Sequence, residues 1–222
     1  MLLYNLTLSL AISEGLSKCD KPECLKKLAA KKRNHSRRLK YISRSELWSV
    51  IKIFPFLKPT LIYEDIVTQV SVDELKKLGI KGVVLDLDNT IMAPKSARLE
   101  LPVEYWLEVM KRNFKLIVLT NNKKAKYLAA VKEVLDIPVV GFALKPFSLG
   151  MKEVHSYLDM PNDKIAIIGD RPLTDIWLGQ RYGFKTVLVK ALTGHIEPKW
   201  KYWLRKLEWS FVARNEEIGV RK

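Results

Sequence analysis

Short apolar runs alternate along most of this chain with longer stretches in which apolar residues recur every three or four positions. The runs are Val83-Val84-Leu85, Leu116 to Leu119, Pro138-Val139-Val140, Ile165 to Ile168 and Thr186 to Val189. Each reads as a strand covered on both faces. Ile62 to Val70 reads as a strand or a loop. Ser71-Val-Asp-Glu74 predicts a capping box, with Ser71 accepting at a helix start and Glu74 reaching back, and Gly79 ends that helix. Pro102 fits the first position of a helix carrying Tyr105, Trp106, Val109 and Met110. Further helices are predicted from Lys123 to Leu135, from Leu149 to Leu158 and from Leu173 to Tyr182, the last closing at Gly183. Strands that alternate with helices in this way form βαβ units. The fold class is therefore α/β: a doubly wound, Rossmann-like parallel sheet with helices on both faces.

At both ends the pattern changes. Residues 1–50 read as a basic extension, partly helical or disordered, residues 51–192 as the α/β domain, and residues 193–222 as an amphipathic, tryptophan-rich tail. Twelve Lys/Arg face only three acids between Lys18 and Lys52. Between Trp48 and Phe56 aromatic and aliphatic residues crowd around Pro55, with lysines at the edges; such a segment serves as core packing or as an interfacial anchor. In the tail, Trp200, Trp203, Leu204, Leu207 and Phe211 recur at helical spacing, while Lys199, Lys201, Arg205 and Lys206 take other positions. That stripe packs on its own domain or meets an interface.

The formal net charge of +15 favours polyanionic partners: nucleic acid, phosphorylated substrates or an anionic membrane surface. Cys19 and Cys24 are too few and wrongly spaced for a zinc site with His35, and point to a reducing compartment. His155 and His195 read as surface or packing residues. No apolar run approaches the roughly 18–20 residues that span a bilayer. Met1 to Ile12 lacks the basic start of a secretory signal. The expected location is cytoplasmic and peripheral on the inner face of a membrane, or an organelle if the basic N-terminus is a transit peptide. No feature of the sequence speaks to oligomeric state.

The candidate chemistry lies where the strands end. Asp86 and Asp88 follow the first run, and strand periodicity would point both to one side. Thr120, Asn121 and Asn122 follow the second, Lys145 follows the third, and Asp170 and Asp175 follow the fourth. In a parallel sheet these ends lie together. Three or four acids, a hydroxyl and an ammonium at one edge meet the demands of phosphoryl transfer. A carboxylate nucleophile needs a cation beside it, and the transferred group needs fixed donors.

At this point the chain resembles the haloacid dehalogenase (HAD) phosphatase superfamily. Asp86-Leu-Asp88-Asn-Thr90 matches its first motif, Thr120 its second, Lys145 its third, and Gly169-Asp170-Arg-Pro-Leu-Thr-Asp175 its fourth. The resemblance implies Asp86 as nucleophile and Asp88 as general acid/base and Mg2+ ligand through its backbone carbonyl. It also implies Thr120 and Lys145 at the phosphate, and Asp170 with Asp175 beside Mg2+. Asn121, Asn122 and Arg171 are candidate substrate contacts, although for Asn122 capping the following helix is the favoured role.

The intervals between motifs have room for one crossover each, so no cap domain is expected. An open site suits a large substrate or one presented on a surface. More closely, the chain resembles the capless branch of YqeG-type proteins and phosphatidylglycerophosphate phosphatases. That implies a Mg2+-dependent phosphatase acting on an anionic phospholipid at a membrane surface. The alternatives are a capless phosphatase for a soluble phosphoester or protein, and a nucleic-acid- or ribosome-associated binding protein on the same scaffold. The basic arm supports the last, and the intact acid set speaks against it.

Overall fold

The computed structural model describes residues 57–147, 149–193, 199–210, 212 and 219–221. The basic extension, the Trp48–Phe56 segment, Cys19, Cys24, His195 and Phe211 lie outside the described residues.

Seven strands form one sheet: β1 (Leu61–Tyr63), β2 (Gly82–Leu85), β3 (Lys115–Leu119), β4 (Val139–Val140), β5 (Ile165–Gly169), β6 (Lys185–Leu188) and β7 (Gly219–Arg221). Their order is β4-β3-β2-β5-β6-β1-β7, and every pairing is parallel. Parallel neighbours need crossovers, and helices supply them. These are α1 (Val72–Lys77), α2 (Leu101–Asn113), α3 (Ala125–Leu135), α4 (Met151–Leu158) and α5 (Trp177–Tyr182); α6 (Lys199–Ser210) follows β6.

Side-chain alternation along β2 shows why the sheet is wound on both sides. Val83 and Leu85 pack with Leu75 of α1, Trp106 and Met110 of α2, and Leu135 of α3. Val84 faces the other way, onto Met151, Val154 and Leu158 of α4 and Leu178 of α5. Each fully buried aliphatic of this kind contributes about 1.5–3 kcal/mol relative to exposure. The apolar runs are continuous because both faces are covered.

Several boundaries differ from the expected ones for local reasons. Ser71 Oγ accepts from the Glu74 amide at 3.4 Å, as a cap should. The reciprocal half of the box runs through Tyr63, whose hydroxyl donates to the Glu74 carboxylate and accepts from the Ser71 amide. Helix α3 starts at Ala125 and not at Lys123, and its N-cap residue Lys124 has no side-chain cap bond. Asn122 therefore does not cap it; its Oδ1 accepts from the Lys124 amide in the preceding turn. Pro172–Ile176 forms a wide π-turn before α5. His155 is a packing residue, with Tyr182 and Phe184 at 5.6 and 5.9 Å. Strand β7 lies in a tail whose pattern predicts only an amphipathic helix.

Candidate active site

The carboxyl ends of β2, β3 and β5 lie side by side, and the polar residues follow them directly. Asp86 extends the ladder by one bond, its amide donating to the Ile168 carbonyl at 3.0 Å. Thr120 does the same at the end of β3, donating to Val140 at 3.0 Å. Asp170 follows Gly169 at the tip of β5. Asp175 returns to the same point through the π-turn, and glycine is what lets it: a Cβ on Gly169 would sit 2.4 Å from the Asp175 carboxyl carbon.

Three buried acids thus converge, with one oxygen from each of Asp86, Asp170 and Asp175 within 4.8 Å of the others. The Lys145 ammonium pairs with Asp86 and, at 2.6 Å, with Asp175. The Arg205 guanidinium pairs with Asp170. Thr90 Oγ lies 3.2 Å from Asp86 Oδ2 and 3.3 Å from Asp170 Oδ1. A hydroxyl carries one proton, so those two oxygens share a single donor.

The electrostatics follow from this geometry. Burial pushes the Asp86 carboxyl up to about 7, against the pull of Lys145 and with added repulsion from Asp175 and Asp170. Burial likewise pushes Asp170 up to about 6, opposed chiefly by Arg205. Burial works against the Lys145 ammonium, yet Asp175 and Asp86 hold its pKa above the ordinary lysine value. Three carboxylates thus outnumber the two cations among them. Hard oxygen donors in excess of positive charge, two of them sharing one proton donor, fit a divalent ion such as Mg2+.

Asp88 shares this edge but not these partners. Strand β2 stops at Leu85, and the chain enters a turn closed by Asn89 at φ 73°, so the two-residue periodicity no longer applies. The Asp88 carboxylate accepts from Asn122 Nδ2 at 3.1 Å and from the Tyr127 hydroxyl at 3.0 Å. The Asn89 turn is pinned from the loop after β6, where Thr193 donates to its side chain and Leu192 to its carbonyl.

The remaining candidates support the site. Thr120 is buried and its hydroxyl accepts from the Asn122 amide at 3.1 Å. Asn121 clasps the Lys145 backbone from both sides, accepting at 2.6 Å and donating at 3.2 Å. Arg171 forms a two-pronged pair with Glu208 of α6, while its amide donates to Asp175 at 3.2 Å. Tyr127 and Glu208 have no place among the residues singled out from the sequence, Arg205 figures there only as a basic position of the tail helix, and Thr90 has no role beyond its motif. Glu208 carried a signal: it is the single acid between Lys199 and Ser210, and a lone acid in a basic helix is often paired.

Residues 89–114 and 121–144 hold one helix each, so among the described residues no inserted domain stands over the edge. Among the described residues, no helix is long and apolar enough to cross a membrane. The outward side of α6 leaves Trp200, Trp203 and Leu207 exposed at 63%, 62% and 43%, with the Lys206 ammonium 5.3 Å from the Trp203 ring centre.

Comparison with known proteins adds the following. The family model for mitochondrial PGP phosphatase matches residues 44–193. A chloroplastic phosphatidylglycerophosphate phosphatase 1 of Chlamydomonas reinhardtii is 33% identical over 155 residues, 66% of this chain and 58% of that protein. The chloroplastic/mitochondrial phosphatidylglycerophosphate phosphatase 1 of Arabidopsis thaliana is 32% identical over 184 residues, 78% of this chain and 52% of that protein. The probable phosphatase YqeG of Bacillus subtilis is 28% identical over 120 residues, 54% of this chain and 70% of that protein. The chain thus spans little more than half the length of the two plant and algal relatives.

Proposed function

Because this chain belongs to the mitochondrial PGP phosphatase family, we propose that it hydrolyses the phosphomonoester of phosphatidylglycerophosphate, releasing phosphatidylglycerol and inorganic phosphate. Asp86 attacks phosphorus and forms an aspartyl-phosphate while the bond to the leaving oxygen breaks. Asp88 gives its proton to that oxygen, then takes one from the water that cleaves the aspartyl-phosphate. Lys145 neutralises Asp86 and faces the phosphate with Thr120 and Asn121; Asn122 keeps Asp88 in place. Asp86, Asp170 and the Asp88 carbonyl would hold Mg2+, with Asp175 behind them. When bound, the ion offsets the repulsion between the nucleophile and the incoming phosphate and stabilises charge on the transferred group.

The observation that carries this reading is the buried cluster of Asp86, Asp170 and Asp175 around Lys145 at an edge with no inserted cap. An edge onto which the described residues insert no cap suits a headgroup presented by a bilayer. The exposed Trp200, Trp203 and Leu207, with Lys206 beside them, support peripheral binding to an anionic surface. The names of the plant and algal relatives support an organelle as the place of action.

The test is phosphate release from phosphatidylglycerophosphate in vesicles against soluble phosphoesters, with Mg2+ and after chelation. Release from the lipid that requires Mg2+ is expected. Cleavage of soluble esters with the lipid untouched would keep the hydrolase and remove the lipid substrate.

A further inference from the structure

Helix α6 begins after residue 193, where the family match ends, yet two of its side chains reach the loop that follows β5. Arg205 and Glu208 lie one turn apart and meet two adjacent loop residues with charges crossed: Arg205 pairs with Asp170, and Glu208 with Arg171. A crossed arrangement fixes the helix against sliding. Moving α6 by one turn would set Arg205 against Arg171 and leave the buried Glu208 without its partner.

The consequence lies in how Asp170 is held. Its side chain is fully buried, and a carboxylate held through one oxygen alone can swing about its own axis. Here each oxygen has a different partner. Oδ1 faces Thr90, the same hydroxyl that meets Asp86 Oδ2. Oδ2 is taken by the Arg205 guanidinium, which also comes within 3.5 Å of the Asp170 carbonyl. Arg205 thereby occupies the outer oxygen and leaves the inner one aimed at Asp86.

We propose that Arg205 is a positioning residue for the divalent ion: it fixes Asp170 as a ligand and makes α6 a working part of the site. This rests on the Mg2+ reading given above. It differs in sign from a mere plug. If Arg205 only filled the place of the cation, its removal would free the acids and tighten metal binding. If it orients Asp170, its removal weakens binding, because the outer partners of metal ligands typically matter by about 10–100-fold in affinity.

The experiment uses the full chain, stripped with chelator and titrated with Mn2+ while free ion is read from its paramagnetic resonance. Arg205→Ala is expected to bind Mn2+ about 10–100-fold more weakly than wild type, with Arg205→Lys between the two and unfolding profiles preserved. Should Arg205→Ala fold poorly, Arg205→Lys and Glu208→Gln carry the test, both binding more weakly. Tighter or unchanged binding in the folded variants overturns the proposal and leaves the phosphatase reading intact. Absence of Mn2+ binding by the wild-type protein would remove both.

Discussion

Two sets of carboxylates share one sheet edge and are held by opposite means. Asp86, Asp170 and Asp175 are buried against an ammonium and a guanidinium. Asp88, only two residues from Asp86, is half-buried and held by an amide and a phenol. A cation beside a carboxylate favours its ionised form, which suits a nucleophile or a ligand. Asp88 has no cation among these partners, in keeping with the proton-carrying role proposed for it above. The difference in partners matches the separate roles proposed for the two.

The sharpest way to break this comparison is Asp86→Asn. Turnover is expected to fall by on the order of 10^4-fold or more, with the circular dichroism spectrum unchanged; substantial residual turnover would remove Asp86 as nucleophile. Next comes Lys145→Ala, which strands Asp86 and Asp175 without their shared cation. Removing one partner of a buried pair costs about 3–5 kcal/mol, to be read from urea unfolding of the chelated protein. Tyr127→Phe tests the other set. It should lower turnover of an alkyl phosphate about tenfold, the equivalent of one hydrogen bond to a charged group. An aryl ester such as p-nitrophenyl phosphate, whose leaving group needs no proton, should lose less, because it calls on Asp88 only when water cleaves the aspartyl-phosphate; unchanged turnover of both esters would refute a role through Asp88.

The last prediction concerns pH dependence. Asp86 is raised from 3.8 to about 7 in the folded, metal-free protein. Its contribution to stability is then fully present below 3.8 and lost as pH rises through about 7. Chelated protein should accordingly lose thermal stability between those values, and Asp86→Asn should flatten the slope. Added Mg2+ should reverse the loss at the upper end.

Much of this arrangement was legible in the sequence because it is written locally. Apolar runs define β2, β3 and β5, and Asp86, Thr120 and Asp170 follow them with no intervening turn to displace them. What escaped depends on contacts distant in the chain. Tyr127 meets Asp88 from 39 residues away, and Arg205 meets Asp170 from 35. The tail shows the problem most clearly. Its periodicity marks an amphipathic helix, and ordinary burial would turn Trp200, Trp203 and Leu207 inward. They are exposed, while Arg205 and Glu208 pair with the loop after β5 and Trp209 packs on the domain. Hydrophobic spacing identifies a helix, but cannot say which side is inward when buried charges decide.

The bare backbone at Gly169 has one more consequence. Position 169 acts as a size filter for the whole loop, since even a methyl group there would overlap the carboxyl of Asp175. Alanine would force the Asp175 carboxyl out of its place and away from Lys145, while Asp170 would stay tethered to Arg205. The acids would fall out of step, so that exchanging a single hydrogen for a methyl, with no charge altered, would dismantle an electrostatic site.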